Sequence, residues 1–328
     1  MDVNSRIGAR ALAFLLATAA PTLAQDGKSS ATYPNRAVKI VVPFPAGGPV
    51  DLVTRTLGHR LTESWNQPVV IENRPGGNSS VGALAVVRAE PDGYTLLMAM
   101  DTTLVYNPLT IENLSYNAKD FVPISMVANN TPLIIVPATG PKTTQDLIAQ
   151  AKEVRGRLNY GVAVLPLRLA GYVFNKMAGI ASTEIVYRGS AENVQGLLNG
   201  SVQYTFDGLS ASLGLIREGK LRPLARLGAE PLTPLPDLPR VSDQIDMKDF
   251  NNITTWSGVV APPGTPPAIV ATVHKAIEEA LSDRLVIARL DEVGISVGTS
   301  TPEQFRDFIR RESARWERVV KEAGLTIQ

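Results

Sequence analysis

Residues 38–51, Val-Lys-Ile-Val-Val-Pro-Phe-Pro-Ala-Gly-Gly-Pro-Val-Asp, constrain the fold more than any other stretch. Val38, Ile40, Val41 and Val42 make a short β-branched run, the composition of a strand buried on both faces. Pro43 and Pro45 remove backbone donors and force the chain out of the sheet. Gly47 and Gly48 allow a tight turn and leave their amides open to close approach. From about Pro49 the period is helical, with Leu52, Val53, Leu57 and Leu61 on one side. A strand, a glycine turn and a helix N-terminus in that order make an anion site, because unpaired amides and the helix dipole point into the turn. There is no phosphate-loop lysine and no third glycine at dinucleotide spacing, so a small carboxylate is the expected anion. A plain strand-to-helix turn is the alternative for such a loop taken alone.

The chain continues in strand–helix units. Val69-Val70-Ile71, a glycine-rich loop over 74–80, a helix over 81–89 and a strand over 95–98 complete the first set. Repeated units of this kind predict a parallel sheet with helices on its faces, and ligands beyond the carboxyl ends of its strands. Three loops, 43–49, 73–80 and 101–108, therefore converge on one rim. A second set begins at Leu133-Ile134-Ile135-Val136, with further strands predicted at 159–163, 185–187, 204–206 and 221–226. Helices are predicted between them over 169–177, 191–198 and 210–218. A proline-rich linker, 231–239, leads to a strand over 256–260 and to a last helix opened by Thr301, Pro302 and Gln304. Two α/β lobes with a helical tail are expected.

The N-terminus differs from the rest. Arg6 and Arg10 precede the apolar run Ala11–Ala20, and Thr22-Leu23-Ala24 makes a small-residue cleavage site. Residues 1–24 therefore read as a secretory signal peptide, with a buried N-terminal helix as the alternative. Lys and Arg total 32 and Asp and Glu 31, and without Arg6, Arg10 and Asp2 the remainder is formally neutral. A neutral chain without a basic stripe argues against nucleic acid as partner. With no cysteine, disulfides, thiolate metal sites and a lipid-modified cysteine are excluded.

Little in the chain points to catalysis. His59 and His274 are the two histidines, each read as a solvated surface residue. No metal spacing and no Gly-x-Ser-x-Gly elbow occurs. Gly214–Leu221 nearly matches a phosphate loop, but Leu221 replaces the Ser/Thr that would hold magnesium, and the context is helix-to-strand. No cofactor and no metal are expected.

Tyr33-Pro34, the 38–48 stretch, Asp51, Arg55, Glu72-Asn73-Arg74-Pro75-Gly76, Pro91-Asp92-Gly93-Tyr94, Asn107-Pro108-Leu109, Tyr187-Arg188-Gly189-Ser190-Ala191, Gly219-Lys220-Leu221-Arg222, Ala261–Pro266 and Thr301–Phe305 run in collinear order over nearly the whole chain. Together they resemble the Bug, or TctC-like, receptors, the periplasmic solute-binding proteins of tripartite tricarboxylate transport systems. The resemblance implies an α/β, two-lobed periplasmic binding protein fold (type II-like) with a ligand cleft between lobes. Lobe 1 would comprise 33–130 plus 256–328, with the tail packed on it, and lobe 2 would comprise 131–255. It implies a periplasmic, monomeric receptor that takes a small organic carboxylate and hands it to membrane permease subunits. A ligand-sensing partner of a signalling receptor, or an enzyme acting on an organic acid, are the alternatives.

The expected ligand contacts are Phe44, Ala46, Gly47 and Gly48 on the first loop, Asn78, Ser79 and Ser80 on the second, and Thr102 and Thr103 on the third. From the second lobe come Ser190 and Ala191, opening a helix that offers a second positive N-terminus, and Asp207 at a strand end. Ser190 reads equally as a simple N-cap, and Asp207 either orients a ligand or water or caps the helix near Ser210. Two departures from the family pattern fall on the predicted cleft. Pro75-Gly76-Gly77-Asn78-Ser79 replaces the usual Pro-Gly-Ala-Gly-Gly, and Gly161–Gly171 is shorter and more apolar, with Arg168 where a histidine is usual. Arg168 either forks onto a ligand carboxylate or snorkels to solvent over Leu165 and Leu167. An apolar wall plus a guanidinium suits an aromatic or longer aliphatic carboxylate, whereas two facing helix N-termini suit the two ends of a dicarboxylate, or one carboxylate with bridging waters.

Overall fold

The β-branched run that opens the chain's first unit is strand β1 (Val38–Val42), followed by α1 (Pro49–Trp65), β2 (Val69–Asn73), α2 (Ser80–Val87) and β3 (Thr95–Met100). This is a computed structural model, and it describes residues 33–246 and 253–323. The expected signal peptide, 1–24, lies outside the described residues. A π-helix, Thr102–Tyr106, and α3 (Asn107–Thr110) occupy the stretch read as the third loop, and β4 (Val122–Asn130) follows. The second lobe runs β5 (Pro132–Pro137), α4 (Thr144–Glu153), β6 (Leu158–Val162), α5 (Leu165–Ala178), β7 (Ser182–Val186), α6 (Ser190–Leu198), β8 (Tyr204–Gly208), α7 (Leu213–Arg217) and β9 (Leu221–Arg226). The chain then returns through β10 (Thr255–Ala261), α8 (Pro267–Leu281), α9 (Arg284–Asp291), β11 (Ile295–Val297) and α10 (Pro302–Ala323).

Two mixed sheets result. The first is six-stranded in the order β11-β4-β10-β3-β1-β2, and the second five-stranded in the order β7-β6-β8-β5-β9. β1, β2 and β3 are parallel, as the strand–helix units predict, but β10 inserts antiparallel between β3 and β4. The chain changes sheets between Asn130 and Pro132 and is back in the first by Thr255.

Both faces of the first sheet are covered, which explains its unbroken apolar strands. Val38, Ile40, Val42, Met98 and Val259 face α1 and α8, while Val41, Leu97, Ala99 and Val260 face the opposite layer. Each such side chain contributes roughly 1.5–3 kcal/mol when fully buried. The opposite layer is α2, α10 and the π-helix. Trp256 of β10 meets Phe305 and Phe308 edge-on at 5.6 and 5.2 Å, and Trp316 packs 5.1 Å from Tyr106. The helical tail thus lies on the first sheet. The proline-rich stretch read as a linker is packed down: Leu232 and Leu238 are buried in the second lobe, and the Arg226 guanidinium donates to the carbonyl of Leu238.

Candidate ligand-binding site

The first loop is held rigid from inside. Asp51, buried in the first turn of α1, accepts from the Gly47 amide and from Arg55 Nε at 3.0 Å each, and from Asn73 Nδ2 at 2.9 Å. Asn73 also donates to the Phe44 carbonyl at 3.1 Å, tying the loop to the end of β2. Burial opposes ionisation of Asp51, yet hydrogen bonds from Arg55, Gly47 and Asn73 outweigh it and hold the carboxyl below its usual range. Gly47 needs its glycine, since φ is +88°. Gly48 is the N-cap of α1 and offers no capping side chain, so the first-turn amides have no side-chain acceptor.

The second lobe presents a matching terminus. Gly189 is the N-cap of α6, again without a side-chain cap. Ser190 is therefore the first helical residue, and its hydroxyl donates to Asp207 Oδ1 at 2.6 Å. Asp207, 1% exposed, also accepts from the Gly208 amide at 2.7 Å and from Asn193 Nδ2 at 2.8 Å. Burial raises the Asp207 carboxyl, and the bonds from Ser190, Asn193 and Gly208 oppose that rise. The two loops meet across the cleft: a Cβ on Gly189 would lie 3.7 Å from Pro45 Cγ.

Between the loops lies a cavity of about 270 Å³. It takes in Phe44, Ala46, Gly48, Ser190, Ala191 and Asp207 of the predicted contacts. Gly47 instead borders a neighbouring groove with Tyr187, Ala191 and Glu192. Asn78, Ser79, Ser80, Thr102 and Thr103 are not among the cavity's walls. They brace the second loop against the π-helix: Thr103 Oγ1 donates to Ser79 Oγ at 2.9 Å, and Asn107 Nδ2 donates to the Asn78 carbonyl at 2.6 Å. Packing explains the difference, because the stretch read as a polar third loop winds into a buried helical turn around Leu104, Val105 and Tyr106, with Trp316 of α10 against Tyr106. Arg168 also lies away from the walls. Its Nε and Nη2 hold Glu184 Oε1 of β7 at 2.8 and 2.7 Å.

The one Lys or Arg among the cavity's described lining residues is Arg188, one residue before the α6 cap. Among the described residues it has no ion-pair partner. Its place in the Tyr187-Arg188-Gly189 motif, straight after a strand, was the available sequence signal. Val53, Met100, Ala128, Asn130, Thr255, Trp256, Ser257 and Ile295 complete the inner wall, and most lie on strands that periodicity does not assign to a rim. Behind Trp256 sits Asp101, whose Oδ2 accepts from the Trp256 amide at 3.3 Å and Oδ1 from the Thr102 amide at 2.6 Å. Burial pushes this carboxyl up to about 8. Chemically, the site can hold an anion with amides and one cation against an apolar wall. No three His, Cys, Asp or Glu side chains gather as metal ligands among the described residues.

Comparison with known proteins agrees with this geometry. The profile described as "Tripartite tricarboxylate transporter family receptor" matches residues 53–325. The chain is 35% identical to protein BugT of Bordetella pertussis over 308 residues, covering 92% of this chain and 93% of that one. A solved R. palustris protein with adipate is 32% identical, with a TM-score of 0.85 over 90% of this chain and 99% of its own. MatC from Rhodopseudomonas palustris, with bound malate, is 28% identical, with a TM-score of 0.80 over 88% and 100%. The chain belongs to the tripartite tricarboxylate transporter receptor family, whose members are periplasmic solute-binding proteins.

Proposed function

We propose that this protein is an extracytoplasmic receptor that captures a small organic carboxylate between its lobes and delivers it to the membrane permease of a tripartite tricarboxylate transporter. One observation carries the reading: two uncapped helix N-termini, those of α1 and α6, line the same cavity from opposite lobes. Each terminus is worth roughly 0.3–1 kcal/mol to an anion, and up to ~2 when partly buried. Amides around Gly48, Ser190 and Ala191 and the Arg188 guanidinium are the proposed contacts, the Ser190 hydroxyl proton being held by Asp207. The adipate and malate seen with relatives support a carboxylate. Cleavage of residues 1–24, a periplasmic location and a monomeric state belong to the same proposal. So does binding without conversion of the ligand.

A thermal-shift screen of carboxylates tests it. A true ligand at 100 times its dissociation constant stabilises the protein by about 2.7 kcal/mol and is recovered unchanged. Deleting the gene in its host abolishes uptake of that ligand. A screen in which no carboxylate raises the melting temperature refutes the reading, and chemically altered ligand refutes the non-catalytic part.

A further inference from the structure

The cavity is unlike at its two ends. Its mouth carries the helix termini and Arg188, the sole Lys or Arg among the described residues that line it. From there it runs back beneath the first turns of α1 onto one face of the first sheet. Strand register places the floor: Met100 of β3 and Ala128 of β4 both lie opposite Ser257 of β10, and Ile295 of β11 lies opposite Asn130. Val53 of α1 and Leu167 of α5 close the sides. This inner end holds no cation. Its polar side chains are neutral and few: Thr255 Oγ1 is turned to the Asn130 carbonyl at 3.4 Å, Asn130 Nδ2 reaches Thr255 Oγ1 at 3.5 Å, and Asn130 Oδ1 is a buried acceptor with no donor.

A carboxylate placed in that inner end would lose its hydration to Val53, Met100, Ala128 and Ile295, with the Ser257 hydroxyl and the Asn130 side-chain amide as the uncharged donors left to answer it. Burying an unpaired charge is far costlier than burying a methyl group, which gains from the same walls. Resting on the carboxylate-receptor reading above, we propose that the ligand is a monocarboxylate with an uncharged apolar body, its single anionic head at the α1 and α6 termini beside Arg188 and its body in the chamber floored by Met100, Ala128 and Ile295. The whole cavity, mouth and chamber together, is about 270 Å³, just under the roughly 300–1,000 Å³ of ligand pockets, so the body is a short branched or unbranched chain or a single ring. Dicarboxylates such as those seen with relatives would have to leave one charge in that chamber.

Hexanoate and adipate decide the matter, since they share a six-carbon chain and differ in ending on a methyl or a carboxylate. Calorimetry on the wild-type protein is expected to show hexanoate bound at least about tenfold more tightly than adipate, with a ring acid such as phenylacetate also preferred over adipate. Ala128→Leu, which fills the floor, is expected to weaken hexanoate about tenfold while changing butanoate by less than about threefold. Adipate or malate binding as tightly as hexanoate overturns the single-head proposal and leaves the carboxylate receptor standing. An equal loss of hexanoate and butanoate in a folded Ala128→Leu overturns the tail-inward orientation. If that variant does not fold, the wild-type comparison alone decides. Failure of every carboxylate to bind overturns both this proposal and the reading beneath it.

Discussion

Asp207 offers the sharpest test of how the second lobe holds its half of the site. Replacing it with alanine removes the acceptor for three donors at once: Ser190 Oγ, the Gly208 amide and Asn193 Nδ2. Each buried donor left unsatisfied costs about 1–3 kcal/mol, and because all three share one carboxylate their costs do not simply add. Asp207→Ala should therefore lower stability by about 3–5 kcal/mol, read as a fall in the urea midpoint at unchanged slope. Asp207→Asn is different. Its retained oxygen still accepts from Ser190 and Gly208, and Asn193 can turn its amide so that the presently unpartnered Oδ1 faces the new donor. That variant should lose less than about 1 kcal/mol at neutral pH. The two should also differ from wild type in pH dependence. A carboxyl whose pKa is raised on folding binds more protons in the folded state, so its contribution falls as pH rises from about 4 through the folded pKa. Asp207→Asn removes that decline. If the asparagine variant proves as unstable as the alanine one, the charge rather than the acceptor geometry organises the start of α6, and the reasoning fails.

Other outcomes follow from the same contacts. Arg168→Ala breaks a partly exposed pair with Glu184 away from the cavity, so ligand affinity should change less than about twofold and stability by about 0.2–1 kcal/mol; a tenfold affinity loss in calorimetry would put its guanidinium on the ligand. Arg188→Gln should slow association with an anionic ligand and flatten its salt dependence in stopped-flow measurements, because an exposed rim charge acts mainly on encounter. Asp101→Asn should stabilise the protein increasingly between about pH 4 and about 8, the window over which the unfolded carboxyl ionises and the buried one resists; an unchanged slope of urea midpoint against pH counts against it. Asp51→Asn should act in the opposite sense, removing stability that wild type holds above about pH 4 and loses as pH falls through the lowered pKa.

Some of this was legible locally. Pro43, Pro45, Gly47 and Pro49 dictate where β1 ends and α1 begins through backbone sterics that involve few distant residues. The last helix likewise announces itself: Thr301 Oγ1 accepts from the Gln304 amide at 3.2 Å, and Gln304 Oε1 accepts from the Thr301 amide at 2.9 Å. Strand β4 was not legible. Pro123 and the closing Asn129-Asn130 weaken its strand pattern, and the structure accommodates Pro123 opposite Val260, beside a register shift that tolerates a residue without a donor. Nor could periodicity foresee that residues 102–106 would coil inward as a π-helix, since that depends on α10 lying over them.

The two arginines show the division most clearly. Local sequence left open whether a guanidinium reaches the cleft, and both Arg168 and Arg188 stand at the opening of a second-lobe helix. Which one faces the ligand is a matter of what each meets across the sheet. Glu184, sixteen positions from Arg168 in sequence, lies on the strand beside α5 and captures that guanidinium. Among the described residues Arg188 has no such partner, and it lines the cavity. The helix termini could be read locally, because their causes lie within a few residues. The electrostatics between them emerge only in the folded chain, because a charge's partner is chosen by distance in space.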